Sequence, residues 1–299
     1  MTSNHSVLAA ELAQIASEGA LSVAPYLRKV ARTVTSYETK RDLHDPVTVH
    51  DRETEELLRQ FFGKAVPGSR FLGEEYGEQV LPGGPGQSGE AESAQQLGPR
   101  VRWIVDPIDG TANFASGSLY FGTSVGVELD GVMSAGAISI PSTEELFCAD
   151  FENAWHIDGQ GNRTPLRAQG PKTESESLLT TYYPSVRALN TQPEQSAQGL
   201  ADLANAYMAL RRTGAAALDL AQVAAGWQGA VLGAAFGPWD VAAGIHMIRV
   251  AGGSVLNLGR EDQLPDGLRP ALVATGANMD APTARRILIE LIRSAGPGI

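Results

Sequence analysis

The chain carries a single cysteine, Cys148, so neither a disulfide framework nor a cysteine-built zinc site is available within it. No histidine stands beside it, and Leu146-Phe147-Cys148 reads as a strand holding a small apolar residue rather than a nucleophile. Aromatic residues make up only 6% of 299, so the core must be built chiefly from Ala, Val, Leu and Ile. Basic residues are outnumbered, 23 Lys and Arg against 34 Asp and Glu, and they are scattered. A formal charge of −11 without a basic cluster argues against nucleic acid and anionic membranes as partners. The N-terminal residues lack a basic segment leading into an apolar run, and no stretch approaches the length of a membrane span. The expectation is a soluble, cytoplasmic protein. A Gly-x-Ser-x-Gly elbow and a Walker loop are both missing, and the five histidines show no His-x-x-x-His spacing.

What remains is an ordinary globular composition, 43% hydrophobic, long enough for one large domain or two halves that share a cleft. Apolar spacing predicts helices over residues 7–31 and 48–62, with Leu57, Leu58, Phe61 and Phe62 on the buried side of the second. Strand-like runs follow at 70–73, 101–105, 121–129, 132–140 and 145–150, the last three as an antiparallel meander. Residues 79–100, rich in Gly, Ser, Gln and Pro, read as a surface loop, and 159–175 as a polar connection. Beyond it come a strand at 178–183, helices at 193–210, 215–227 and 240–251, strands at 254–258 and 271–275, and a helix at 281–293. This pattern predicts layers of mixed sheet and helix.

Three segments join an apolar strand to carboxylates. They are Gly73-Glu74-Glu75, the run 106–114 opening Asp106-Pro107-Ile108-Asp109-Gly110-Thr111, and Trp239-Asp240. Each alone is a turn, a solvated strand end or a helix cap. In the second, Pro107 stops the ladder after Asp106, and Asp106 and Asp109 can both aim inward with the Ile108 carbonyl between them. Gly110 lets the backbone approach closely, and the amides after it can bind an anion. Hard oxygen donors of this kind select Mg²⁺ or Mn²⁺ over zinc.

With Lys40, Asp45, Asp51, Gly214 and Gly252-Gly253 also at matching positions, the chain resembles the inositol monophosphatase family of lithium-sensitive, magnesium-dependent phosphatases. The resemblance implies an α+β / α/β layered sandwich, with residues 1–150 carrying the metal motifs and 151–299 contributing Asp240. It implies two or three Mg²⁺ ions per site, held by Glu74, Asp106, the Ile108 carbonyl, Asp109 and Asp240. Glu74, Asp51 and Thr111 would be the catalytic residues, the last two aiming the attacking water. Substrate and phosphate contacts would come from Asp109, the amides of Gly110 and Thr111, Gly214, Ala215, Ala216 and Asp240. Lys40 and Asp45 would lend electrostatic support from behind. The partner implied is a small phosphorylated metabolite, and a homodimer is common in the family.

One position departs from the pattern. Many inositol phosphatases place an acid seven residues before the Trp-Asp aspartate, to bind sugar-alcohol hydroxyls; here it is Gly233. Histidinol phosphate, fructose 1,6-bisphosphate and phosphoadenosine phosphate, substrates of related enzymes, therefore stay open beside inositol phosphate, as does a non-catalytic module that binds metal and phosphate ligands. Asp219 reads as an exposed helix residue.

Overall fold

The computed structural model describes residues 2–34, 36–39, 46–82, 97–258 and 271–294. Lys40, Asp45 and most of the loop at 79–100 lie outside the described residues.

Two helices open the chain, α1 (Thr2–Ser22) and α2 (Ala24–Val30), the second started by Pro25, whose fixed φ suits a first helical turn. A short ribbon, β1 (Glu38–Thr39) with β2 (Pro46–Val47), leads into α3 (Val49–Ala65). The larger sheet uses β3 (Arg70–Gly73), β4 (Gly77–Val80), β5 (Val101–Asp109), β6 (Gly122–Leu129), β7 (Val132–Ile140), β8 (Glu145–Ala149), β9 (Ala154–Ile157) and β10 (Arg163–Pro165). Their order is β10-β9-β8-β7-β6-β5-β3-β4, antiparallel throughout except where β3 runs parallel to β5. The five-residue helical stub α4 (Thr111–Ala115) follows β5 directly.

The smaller sheet has β11 (Leu178–Thr181), β12 (Ala209–Arg211), β13 (Ala230–Ala234), β14 (Ser254–Leu258) and β15 (Ala271–Thr275), ordered β12-β11-β13-β15-β14. Between these strands run α5 (Val186–Thr191), α6 (Pro193–Ala206), α7 (Ala216–Ala224) and α8 (Pro238–Val250), and α9 (Pro282–Ser294) closes the described chain.

Three cores separate the layers. Leu12, Leu27, Leu58 and Phe62 from the first helices meet Phe71, Trp103 and Val125 of the larger sheet. On that sheet's other face, Ala-rich α7 and α8 lie between it and the smaller sheet, burying Ile138, Ala217, Leu220, Ala242, Val231 and Leu272 together. Leu203 of α6 and Ala284, Ile287 and Leu288 of α9 cover the outer face of the smaller sheet. The result is helix, sheet, helix, sheet, helix, as the layered expectation requires. Small residues permit the tight middle layer: a side chain at Gly126 would meet the Ala242 methyl at 2.7 Å, and one at Gly136 the Ala243 Cα at 3.0 Å. Thus α8 lies close on β6 and β7, which fixes where its first turn points.

Several expectations need correction. Residues 7–31 are two helices, and Asn4–Val30 is long and apolar enough, by length and composition alone, to cross a membrane. One face of it is engaged here, with Leu12, Ala16, Ala20 and Leu27 all fully buried in the first core. Leu57 is exposed, because α3 turns Leu58 and Phe62 to the sheet instead. The helix expected at 193–210 stops at Ala206, and 209–211 form an edge strand. Strands β4, β9, β10 and β13 were not anticipated from the sequence.

Candidate active site

The larger sheet ends in the site. Strand β5 does not stop at Asp106, as Pro107 led us to expect, but continues to Asp109 through an irregularity. Asp106 pairs with Ser124 and Asp109 with Gly122, so three steps on β5 match two on β6. In a regular strand, residues three apart face opposite sides. The extra residue of a bulge cancels that half-turn and lets Asp106 and Asp109 share one side. Pro107 costs no ladder bond here, and its carbonyl accepts the Thr123 hydroxyl at 2.9 Å. The Ile108 amide instead donates to Asp106 Oδ1 at 3.0 Å.

Gly110 follows at φ 90°, a left-handed conformation that glycine enters freely. A side chain there would also press on the Ala215 methyl and the Tyr120 carbonyl, each at 3.1 Å. The turn delivers Thr111 to the cleft. Its hydroxyl lies 2.9 Å from Asp51 Oδ1 and 3.0 Å from the Ile108 carbonyl, either of which can take its proton. Asp51 sits in the first turn of α3, and its Oδ2 accepts the Thr48 amide at 2.8 Å and the Thr48 hydroxyl at 2.6 Å. Asp51 therefore both closes the cap of α3 and accepts from Thr111.

A cleft of about 250 Å³ is lined by Glu74, Asp106, Asp109 and Asp240, with Ile108, Gly110 and Thr111 between them. Asp51 lies behind Thr111, 1% exposed. Gly214 and Ala216 line the cleft beside Asp109 and Gly110, whereas Ala215 is fully buried beneath them. The acids reach one place because α7 and α8 both start there. Asp109 accepts the Ala216 amide on Oδ1 at 2.9 Å and the Ala217 amide on Oδ2 at 2.9 Å. Asp240, at the third position of α8, accepts the Gly237 amide at 2.7 Å. Helix N-termini favour negative charge, so they make this concentration of acids tolerable.

Tolerable is not free. Burial pushes the Asp106 carboxyl well above its ordinary range, and the charges of Glu74, Asp109, Asp240 and Asp51 push it further. Asp109 is raised likewise by burial and by Asp240 and Asp219, against the lowering pull of the Leu218 and Ala216 amides. Burial raises Asp51 too, while its bonds from Thr48 and Thr111 hold it down. A divalent cation would relieve this repulsion, and hard oxygens are the donors it prefers. Among the described residues, however, no three His, Cys, Asp or Glu side chains are disposed to hold a metal ion as they stand. Asp106, Asp109 and Asp240 each give an oxygen to a backbone amide, which is how mutually repelling carboxylates settle. A carboxylate has about four lone-pair sites, so these bonds leave capacity for a cation.

Asp219 was misread from sequence. It is fully buried, not exposed, and its oxygens accept three hydroxyls: Tyr120 at 2.8 Å, Tyr182 at 2.6 Å and Thr213 at 2.6 Å. Burial pushes it up to about 6, restrained by those bonds. The signal was present in α7 itself, where Asp219 and Gln222 are the only polar residues, a pattern that marks a helix largely enclosed by protein. Glu55 was missed altogether. It is also fully buried and accepts the Glu75 amide at 2.8 Å and the Tyr76 amide at 3.2 Å, gripping the turn that presents Glu74.

Comparison with known proteins bears out the family resemblance. The model of the inositol monophosphatase family matches residues 5–293. The inositol-1-monophosphatase SuhB of Mycobacterium tuberculosis is 36% identical over 213 residues, 71% of this chain and 68% of that one. The Nus factor SuhB of Pasteurella multocida is 30% identical over 220 residues, 73% of each. Among solved structures, Mycobacterium tuberculosis SuhB superposes with a TM-score of 0.70 at 31% identity, covering 95% of this chain and 96% of that one. A match that spans nearly every described element, with the carboxylate motifs in place, settles the kinship: this chain belongs to the inositol monophosphatase family.

Proposed function

We propose that the chain is a Mg²⁺-dependent phosphatase that hydrolyses a small phosphate monoester with water as nucleophile. The observation that carries this is the convergence of Glu74, Asp106, Asp109 and Asp240, from three distant segments, on one cleft floored by Gly110 and Thr111. The similarity to inositol-1-monophosphatases supports the reaction class.

In this reading Glu74, Asp106, the Ile108 carbonyl, Asp109 and Asp240 hold the Mg²⁺ ions. Bound there, the metal would neutralise the phosphate dianion and make water nucleophilic near neutral pH. The protein supplies the aim. The Gly110 and Thr111 amides, at the head of a turn, hold phosphate oxygens. Thr111 Oγ accepts a hydrogen bond from the attacking water while giving its own proton to Asp51 Oδ1, the bond already in place at 2.9 Å. Asp51, raised by burial yet held by Thr48, is a competent and rigid proton acceptor. The Asp109 bonds to α7 keep the first turn of that helix in register with the phosphate site.

The test is phosphate release from a panel of small monoesters with Mg²⁺, with EDTA and with added Li⁺. Turnover that needs Mg²⁺ and falls with Li⁺ is expected. A folded, metal-binding chain that releases no phosphate from any of them favours a second reading, a non-catalytic regulatory protein. The relative named as a Nus factor motivates that alternative. Against it stands the intact Asp51–Thr111 pair, which a binding module has no need to keep.

A further inference from the structure

Gly233 leaves a polyol without its expected carboxylate, and the structure shows what occupies that space. A side chain starting at Gly233 would run into the Phe236 ring, 2.6 Å from Cε2, and would crowd Tyr182 Cβ at 3.2 Å. Phe236 reaches back there because Ala235, between them, takes φ 67°, in the left-handed region that alanine rarely adopts. The Tyr182 and Phe236 rings pack edge to face, centroids 5.1 Å apart at 77°. Both line the cleft, with Ala234 and Ala235. The Tyr182 hydroxyl gives its one proton to Asp219, so this wall presents ring carbon and methyl groups rather than a donor.

We propose that this wall receives the leaving group, and that it selects the phosphate ester of an alcohol bearing an aromatic or other flat apolar ring over a phosphorylated polyol. The inference rests on the hydrolytic reading above: water bonds to phosphorus, the ester P–O bond breaks, and the alcohol oxygen departs with a proton. A polyol hydroxyl pressed against these rings gives up water, and ring carbon and methyl groups do not return the hydrogen bond that a carboxylate at position 233 would supply. A ring gains contact area and the edge-to-face geometry already seen between Tyr182 and Phe236. The strained turn at Ala235 makes the wall a built feature, since a relaxed chain would not fold Phe236 back over Gly233.

The experiment measures kcat/KM with Mg²⁺ for benzyl phosphate, myo-inositol 1-phosphate and ethyl phosphate, all esters of alkyl alcohols and so similar in intrinsic reactivity. We expect benzyl phosphate to exceed inositol 1-phosphate by at least about tenfold. Phe236→Ala lowers the benzyl-to-ethyl ratio by about tenfold or more, chiefly through KM, and Phe236→Leu, which keeps much of the bulk, lowers it less. A preference for inositol 1-phosphate overturns the proposal while leaving hydrolysis standing. So does an unchanged ratio in folded Phe236→Ala, or in Phe236→Leu should the alanine variant not fold. Release of phosphate from none of the three overturns the hydrolytic reading, and this one with it.

Discussion

Asp109 and Ala216, 107 residues apart in sequence, are joined by a 2.9 Å hydrogen bond from amide to carboxylate. A residue of the larger sheet thereby caps a helix of the middle layer. The same carboxylate is proposed to hold metal, so capping and metal binding can be separated by substitution. Asp109→Ala strips the first α7 amides of their acceptor, whereas Asp109→Asn keeps one. In EDTA, urea denaturation should find the alanine variant less stable than the asparagine variant by about 1 kcal/mol. Equal stabilities would show that the cap contributes nothing.

Asp106 offers the opposite sign. Its carboxyl is buried among like charges and raised well above its ordinary range. Asp106→Asn retains the oxygen that accepts the Ile108 amide and removes a repelled anion. Metal-free protein should therefore become more stable at pH 7, by at least ~1 kcal/mol. Phosphate release should fall more than about 100-fold, beyond the loss expected for a merely supporting residue. A variant that keeps substantial activity, or that is destabilised in EDTA, contradicts the electrostatic account of the site.

Much of this site was legible because its motifs are local. The sequence around Pro107 suggested that Asp106 and Asp109 both aim inward. What was illegible depends on partners distant in sequence. The bulge at Pro107 is defined by its register against β6, which no reading of residues 101–109 contains. Strand β13, Ala-Val-Leu-Gly-Ala, has too little β-branched content to announce itself and forms because β11 and β15 flank it. Asp219 needed the hydroxyls of Tyr120, Tyr182 and Thr213, drawn from three other segments, before its burial made sense.

Glu55 touches neither the cleft nor the proposed metal, yet its grip on the Glu75 and Tyr76 amides sets where Glu74 points. Glu55→Gln can still accept one of those amides, and Glu55→Ala neither. The Mg²⁺ concentration for half-maximal phosphate release should rise roughly tenfold in the alanine variant and less in the glutamine variant. A fall in rate with no change in Mg²⁺ requirement would mean that Glu55 matters only for folding.

Asp219 makes stability depend on pH in a window set by its own shift. Its carboxyl titrates near 3.8 ordinarily and is pushed up to about 6 in the fold. The folded state therefore binds the proton more tightly than the unfolded chain. That advantage is complete below 3.8 and is lost as pH rises through about 6, after which the folded protein carries a buried anion. Asp219→Asn cannot titrate. The stability of the unsubstituted chain, measured by urea denaturation in EDTA against this variant, should fall by roughly 2 kcal/mol from pH 4.5 to 7, at 1.36 kcal/mol per pH unit across the part of the window that remains. Above pH 7 the difference should be level. A difference that stays constant over the whole range would show that Tyr120, Tyr182 and Thr213 stabilise the anion fully, and that burial costs Asp219 nothing.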